Sequence, residues 1–329
     1  MVITMKLLQK PEMMTWAEKT SRGHSFWLET LIFIAVFFVS QLIVGIITTP
    51  FTVIWAFSNL DAMSPSSNYS DMMNSMYDAM ENMPSWLLVV NLFATIALIL
   101  IPIIYCTKIE KRSLQTMGFI KKGAIKEYLV GLIIGAAMLA AAVGIGIAFG
   151  SITFNGISPD FALGIVIAFF LGYLVQGMSE EVICRGYYMV SLGRKYNVII
   201  AIIANSVIFG ALHFFNNGLS LLGIFNIILF GVFASVYMIK RGNIWGVAAI
   251  HSAWNFVQGN IFGVSVSGMA KTESLFSVTF SESGKLINGG DFGLEGGLAV
   301  TMVLVIGIVI CLFIPAKRYS TDKIIDVNA

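Results

Sequence analysis

Charged side chains are scarce in this sequence. Asp, Glu, Lys and Arg together make up 12% of its 329 residues, about half of their share in an ordinary soluble domain. Hydrophobic residues make up 57% and the mean hydropathy is +0.85, which is more apolar surface than one core surrounded by water can bury. This composition excludes a soluble globular enzyme and a disordered chain. The net charge of +2 also excludes a basic nucleic-acid binder, so the predicted partner is the lipid bilayer.

Cysteine is also rare. The three cysteines, Cys106, Cys184 and Cys311, lie far apart and inside or beside apolar runs, which excludes a disulfide framework and a metal knuckle. We expect them to be small buried packing residues. Residues 1–25 are polar and mildly basic and lack the pattern of a cleaved signal peptide. The first apolar segment is therefore expected to target the chain to the membrane.

Long apolar runs dominate the rest of the chain. A bilayer core about 30 Å thick is crossed by a helix of about 20 apolar residues. The runs are continuous rather than alternating, which favours helices over a barrel. We therefore predict an all-α polytopic membrane protein with about eight transmembrane helices. The eight segments are 26–57, 85–105, 128–149, 161–190, 198–215, 220–239, 244–262 and 297–314.

The basic residues are distributed unevenly between the loops of this arrangement. With a cytoplasmic amino terminus, eighteen of the 20 Lys and Arg residues fall on one side and only Lys271 and Lys285 on the other. Cytoplasmic loops are enriched in Lys and Arg, so both termini are predicted to be cytoplasmic. The eighteen are Lys6, Lys10, Lys19, Arg22, Lys108, Lys111, Arg112, Lys121, Lys122, Lys126, Arg185, Arg194, Lys195, Lys240, Arg241, Lys317, Arg318 and Lys323.

The sequence predicts two outer loops and three regions of the chain. Residues 58–84 are acidic and rich in Met; thioethers can bind copper, but we favour a flexible or amphipathic surface segment. Residues 263–296 contain a glycine cluster, which we interpret as tight turns leading into the last span. The regions are 1–150 with spans one to three, 151–262 with spans four to seven, and 263–329 with the last span and a cytoplasmic tail.

Ionisable residues inside membrane spans are costly and usually functional. Glu29 lies close to the amino-terminal end of the first span and is expected to reach the membrane interface in a structural role. The other five lie on three helices of the carboxy-terminal half, which indicates one polar site within spans four to seven. They are Glu180, Glu181, Arg185, His213 and His251.

The first pattern is Glu-Glu-Val-Ile-Cys-Arg at 180–185. Adjacent residues point about 100° apart on a helix, so Glu180 and Glu181 are expected to have different roles. Glu181 and Arg185 are four residues apart with the acid first, which favours an intrahelical ion pair. Arg185 would then neutralise Glu181 and leave Glu180 free, with Gln176 on the same face as Glu180. A purely structural charge cluster at a helix end is the alternative.

Two further patterns carry histidine. Phe209 and His213 share a helical stripe with Asn205, and His251 and Asn255 present an imidazole and a carboxamide on one face. A lone buried histidine is more often a satisfied core residue than a catalyst. Together with the Glu-Glu-Arg pattern on a third helix, however, the two histidines point to a shared site.

In this order on separate apolar helices, the three motifs resemble those of the CPBP family. This family comprises type II CAAX prenyl proteases and membrane proteases that process bacteriocins or act in immunity, also called Abi proteins. The resemblance covers about 155–262 and implies an intramembrane protease of a membrane-associated peptide or protein in a bacterial plasma membrane. Position by position, it implies that Glu180 and His213 activate the attacking water and that His251 and Asn255 stabilise the oxyanion. Glu181, Arg185 and Phe209 would be supporting residues.

The chemistry of these side chains leaves the catalytic type open. Peptide hydrolysis without a nucleophilic Ser or Cys needs an activated water, a base and donors for the oxyanion. A carboxyl group in apolar surroundings has a raised pKa and is a better base near neutrality, a role that suits Glu180. Alternatively, Glu180, His213 and His251 supply enough ligands for a catalytic zinc with water in the fourth position. A zinc ion is thus possible but not strictly required.

Two other functions fit the same residues. A catalytically silent immunity or scaffold protein would use the cavity to hold a peptide. A proton-coupled transporter would use buried Glu and His as a relay. The sequence has no proline between Pro159 and Pro315, which gives the broken helices of a transporter little support. We therefore rank the protease first.

Overall fold

The computed structural model describes residues 9–20, 23–58 and 83–319. The α-helices, numbered in chain order, are α1 (Glu12–Thr20), α2 (Phe26–Ser58), α3 (Ser85–Ala94), α4 (Ala97–Ile104), α5 (Ala124–Ala148), α6 (Leu163–Glu181), α7 (Val190–Gly193), α8 (Val198–Ala211), α9 (Leu221–Arg241), α10 (Trp245–Phe256), α11 (Lys285–Asn288) and α12 (Leu298–Phe313). Short π-helical segments follow α4, α6 and α10 at Tyr105–Ile109, Val182–Met189 and Val257–Ile261. Two strands, β1 (Ile152–Ile157) and β2 (Phe276–Phe280), complete the fold.

Seven of the eight predicted apolar segments coincide with one helix or with a helix continued by a π segment, and the segment 85–105 contains the two consecutive helices α3 and α4. The all-α membrane fold is confirmed, but the count of eight spans is not. Within the described ranges, five helices are long and apolar enough to cross a membrane: Phe26–Ser58, Ser85–Ile109, Ala124–Ala148, Leu163–Gly193 and Leu221–Arg241. The helices α8 and α12 are shorter, with 14 and 16 residues, and α8 ends at Ala211 although the sequence predicts a span to residue 215. The chain is an integral membrane protein.

Glycines allow α5 to lie against α10 at close range. A Cβ atom at Gly131 would lie 2.3 Å from the carbonyl oxygen of Gly246, and one at Gly135 would lie 2.3 Å from that of Ile250. Small residues four apart let membrane helices approach closely enough for their backbones to pack. This contact fixes the height of α10 in the bundle and therefore the height of His251.

Buried ion pairs tie the helix ends together where most basic residues lie. Arg194 Nη2 donates to Glu29 Oε1 at 2.5 Å and to Glu110 Oε1 at 2.7 Å. Glu127 likewise accepts from Arg241 and Lys317. The Glu29 side chain is 1% exposed and bound to Arg194, which agrees with the structural role expected from the sequence. We refer to this end of the bundle, formed by 9–20, 23–25, 105–127, 190–198, 240–245 and 314–319, as the basic end.

The opposite end carries the only strands of the described ranges. Strands β1 and β2 pair antiparallel, with Ile152 opposite Phe280 and Ile157 opposite Phe276. The loop from β2 to α12 contains the predicted tight turns: Gly289, Gly290 and Gly293 have φ of 88°, 61° and 99°, values that favour glycine. The predicted Met-rich outer segment, with Asp61, Asp71, Asp78 and Glu81, lies outside the described residues. We refer to this end of the bundle, formed by 83–88, 149–163, 212–221 and 262–297, as the acidic end.

Candidate active site

Three helices direct the predicted polar residues into one cavity. Its volume is about 280 Å³, and Glu180 of α6, His213 after α8, and His251 and Asn255 of α10 all line it. Glu180 lies 17 residues after Leu163 and 13 before Gly193, which is about 26 and 20 Å along the helix axis. The cavity therefore reaches about the middle of the continuous helix Leu163–Gly193, which α6 begins. The four side chains do lie together, as the sequence predicts.

Glu181 binds both Arg185 and His251 on the buried side of the site. Arg185 Nη1 donates to Glu181 Oε1 at 2.9 Å, with both side chains fully buried. This is the predicted intrahelical pair, so Arg185 lies within the bundle and not in a loop at the basic end, where the charge count had placed it. His251 Nδ1 lies 2.8 Å from the same oxygen. Because a carboxylate only accepts, His251 Nδ1 carries the proton and Nε2 is directed to the cavity.

Glu180 belongs to a second, more exposed chain of hydrogen bonds. Gln176 Nε2 donates to Glu180 Oε1 at 2.6 Å, and Asn255 Nδ2 donates to Gln176 Oε1 at 2.9 Å. Glu180 Oε2 lies 3.6 Å from His251 Nε2, and the Glu180 side chain is 26% exposed. The surroundings of Glu180 are therefore polar and accessible, and not apolar as expected from the sequence. The two adjacent glutamates occupy different environments, one bound to Arg185 and the other open to the cavity.

His213 follows the end of α8 and is held by the backbone. Its Nδ1 lies 2.8 Å from the carbonyl oxygen of Phe209, so Nδ1 carries the proton and, in the neutral imidazole, Nε2 is the acceptor. The Phe209 ring packs beside His213 and lies 4.2 Å under the guanidinium of Arg185. Nε and Nη2 of Arg185 have no hydrogen-bond partner in the described part of the chain, and the ring face supplies a cation–π contact instead. Phe209 thus links the Glu181 cluster to His213.

Helical geometry changes directly after Glu181. Residues Val182–Met189 form a π-helical segment, and all eight are buried. Single π turns inside α-helices are rare and occur often at functional sites. The sequence pattern did not reveal this segment, because its residues have no property that distinguishes a π turn from an α turn.

The proposed zinc ligands line one cavity, but their ligand atoms do not all lie within 4.8 Å of one another. Among the described residues, one set of three potential ligand atoms lies within 4.8 Å of one another, and it consists of His24, Glu29 and Glu110. Glu180, His213 and His251 are not such a set, so we derive no step through a metal. At His24, Glu29 and Glu110, the guanidinium of Arg194 already lies between the two carboxylates.

A polar cluster beside the cavity was missed by the sequence analysis. Glu295 Oε1 accepts from the backbone N–H and the hydroxyl of Ser267 at 3.1 Å, and Glu295 Oε2 accepts from Gln258 Nε2. Burial raises the pKa of the Glu295 carboxyl, although these hydrogen bonds act in the opposite direction. Glu295 and Ser267 line a second cavity of about 30 Å³ together with His213 and Asn255, which is large enough for a water.

Comparison with known proteins supports the resemblance seen in the motifs. Residues 162–257 match the family model described as Type II CAAX prenyl endopeptidase Rce1-like. The matched segment includes all three motifs and lies within the predicted region 151–262. No curated protein and no solved structure gives a significant match.

Proposed function

Given that the chain belongs, through residues 162–257, to the CPBP family of CAAX-type membrane proteases, we propose that it is an intramembrane endopeptidase. Its substrate would be a membrane-associated peptide or protein, cleaved by a water that Glu180 and His213 activate. The observation that carries this proposal is the convergence of Glu180, His213, His251 and Asn255 on one cavity. The cavity reaches the middle of the continuous helix Leu163–Gly193 and is open enough to leave Glu180 partly exposed.

Glu180 is the proposed general base. Its oxygens face the cavity, and Gln176 holds one of them by a hydrogen bond, which limits the rotation of the carboxylate. A water between Glu180 and His213 would donate one proton to the carboxylate and the other to the free Nε2 of His213. Glu180 would take the first proton as the water attacks the peptide carbonyl carbon, and would then pass it to the leaving amine. General acid–base catalysis of this kind contributes about 10²–10⁴ to the rate.

Asn255 and His251 are the proposed oxyanion donors. Asn255 Nδ2 carries two hydrogens, and Gln176 accepts one of them, which leaves the other for the oxyanion. His251 Nε2 donates when it is protonated, with the carboxylate of Glu181 behind the ring. Glu181 and Arg185 act through His251 and are therefore positioning residues. Donors fixed before the reaction stabilise the developing charge without reorganisation.

The test compares parent, Glu180→Gln and His213→Ala chains purified in full length and placed in liposomes. The probe is a library of internally quenched peptides, each carrying an alkyl anchor. We expect cleavage by Glu180→Gln to fall by about 10²–10⁴, the contribution of a general base. The matched control is Glu282→Gln, because Glu282 is 85% exposed at the acidic end and should leave cleavage unchanged.

Two outcomes would contradict the proposal. If both site variants cleave as fast as the parent, the catalytic assignment is wrong. If no chain cleaves and Glu180→Gln keeps the biological effect of the parent in cells, the cavity holds a peptide without hydrolysing it. Proton flux through the parent in the same liposomes, lost in Glu180→Gln, would favour a transporter instead.

A further inference from the structure

The two ends of the described bundle differ in charge. The basic end carries Arg112, Lys121, Lys122, Arg194, Lys195, Arg241 and Lys317 among its Lys and Arg residues. The acidic end has two basic residues among those described, Lys271 and Lys285, against Asp160, Glu273, Glu282, Asp291 and Glu295. Because Lys and Arg are enriched on the cytoplasmic side of membrane proteins, the basic end faces the cytoplasm in the orientation that the charges favour.

The cavity extends from Glu180 toward the acidic end. Its wall there is formed by the loop residues Val264, Val266, Met269 and Thr272, together with Leu88 near the start of α3. Met269 is 41% exposed, so this wall reaches the surface. None of the described residues that line the cavity comes from the segments that form the basic end. The open path from the site therefore leads away from the basic end.

Between Glu180 and the basic end, packed side chains fill the interior of the bundle. The π-helical segment Val182–Met189, which continues α6 toward the basic end, is buried at every residue. Phe33 of α2 packs on Tyr187 and Tyr188 at ring-centroid distances of 6.5 and 4.5 Å. Arg185 lies in the same layer with no exposed surface. A peptide could not reach Glu180 from the basic end without displacing this packing.

The mouth of the cavity also has an apolar neighbour. Phe214 and Phe215, directly after His213, are 62% and 98% exposed, and Leu221 is 89% exposed. Exposed Phe and Leu side chains are suited to the boundary between head groups and acyl chains. The backbone that carries His213 thus meets lipid at about the depth of Glu180, because the helix before it has only 14 residues, and the leaflet that begins there is the one on the acidic side. A substrate held in that leaflet would be next to the cavity.

We propose that the site takes its substrate from the non-cytoplasmic side of the membrane, through the loop 264–272. This inference rests on the proposed protease function. The substrate class is a peptide segment anchored in the non-cytoplasmic leaflet by a span or a lipid and extended at the scissile bond. A cavity of about 280 Å³ lies at the lower limit for ligand sites, about 300–1,000 Å³. It therefore admits a short unfolded stretch and not a folded domain.

Two introduced cysteines test the side from which the substrate enters. Lys271→Cys lies between two cavity-lining residues of the loop, and Lys122→Cys lies at the basic end; both lysines are exposed. The natural Cys106, Cys184 and Cys311 are free and buried, so a bulky membrane-impermeant maleimide labels the new cysteine selectively. Each full-length chain is placed in liposomes of phosphatidylethanolamine and phosphatidylglycerol. The alkyl-anchored quenched peptides are then added from outside.

We expect the maleimide to abolish cleavage by Lys271→Cys and to leave cleavage by Lys122→Cys unchanged. In intact cells, we expect Lys271→Cys to react and Lys122→Cys to react only after permeabilisation. Cleavage that survives labelling of Lys271→Cys, or cleavage lost on labelling of Lys122→Cys, would overturn the proposal. The reverse labelling pattern in cells would overturn it as well. Failure of the protease function is distinguishable, because it appears as equal cleavage by the unlabelled parent and Glu180→Gln.

Discussion

Removing the buried charge of Arg185 should destabilise the protein strongly, and a second substitution should reverse part of the loss. Arg185 has no exposed surface and donates to an equally buried Glu181. Removing one partner of a buried ion pair leaves an uncompensated charge and costs about 3–5 kcal/mol. We therefore expect Arg185→Met to lower the free energy of unfolding by about this amount. Loss of the contact to Phe209 adds about 0.5–2 kcal/mol.

The double variant separates charge compensation from general damage. Glu181→Gln alone leaves Arg185 buried without its anion and should also cost about 3–5 kcal/mol. In Arg185→Met with Glu181→Gln neither charge remains, so the loss should be smaller than the sum of the single losses by about 2 kcal/mol or more. The free energy of unfolding is measured by titration with a denaturing detergent. Thiol reactivity of Cys184, which is buried beside Arg185, reports the unfolded fraction.

Additive losses would refute this reasoning. Sites that do not interact add to within about 0.3–0.5 kcal/mol. If the loss in the double variant equals the sum of the two single losses to within this range, the charges of Glu181 and Arg185 do not compensate each other inside the bundle. A suitable control is Lys285→Met with Glu282→Gln, because this ion pair is exposed and exposed pairs contribute about 0–1 kcal/mol.

Three further predictions concern packing, pH and metal. Gly135→Ala should cost about 1–3 kcal/mol through overpacking, because its Cβ would lie 2.3 Å from the Ile250 oxygen, whereas Gly144→Ala has nothing within 4 Å and should be neutral; equal unfolding free energies for the two variants would contradict this. Burial raises the pKa of Glu295 above its ordinary 4.5, so the folded state binds that proton more strongly than the unfolded state. The Tm of the parent minus the Tm of Glu295→Gln should therefore fall as the pH rises from 4.5 through the raised pKa. A difference in Tm that does not depend on pH would contradict this prediction. Cleavage by the purified chain should persist in EDTA because the ligand atoms of Glu180, His213 and His251 are not all within 4.8 Å of one another, and cleavage that is lost to EDTA and restored by zinc would show the opposite.

Local helix geometry explains which contacts the sequence could predict. Glu181 and Arg185 are four residues apart on one helix, so their pairing follows from the helical repeat alone. The apolar runs likewise predict which parts of the chain are helical, because their length and continuity are properties of the sequence. The helical repeat also predicts that Glu180 points away from the Glu181–Arg185 pair and that Gln176 lies on the same helix face as Glu180. These contacts need no knowledge of how the helices pack.

The sequence alone could not predict the contacts between helices. His251 Nδ1 binds Glu181 across 70 positions, and Asn255 binds Gln176 across 79. Both depend on the height of α10, which close packing against α5 determines. Glu295 was missed because its partners Ser267 and Gln258 lie on a loop and on a π segment, neither of which has a periodic pattern. A polar residue within the glycine cluster was the one sign that the sequence offered.

The π-helical segment Val182–Met189 also restricts the length of the chain. A π turn contains about one residue more than an α turn, and each helical residue rotates the chain by about 100°. Deleting one residue between Glu181 and Arg194 would therefore turn Arg194 away from Glu29 and Glu110 while Glu181 stayed in place. Side chains along this stretch can be exchanged for others of similar volume, but the number of residues cannot change without breaking one of the two charge clusters. Insertions and deletions should accordingly be excluded here.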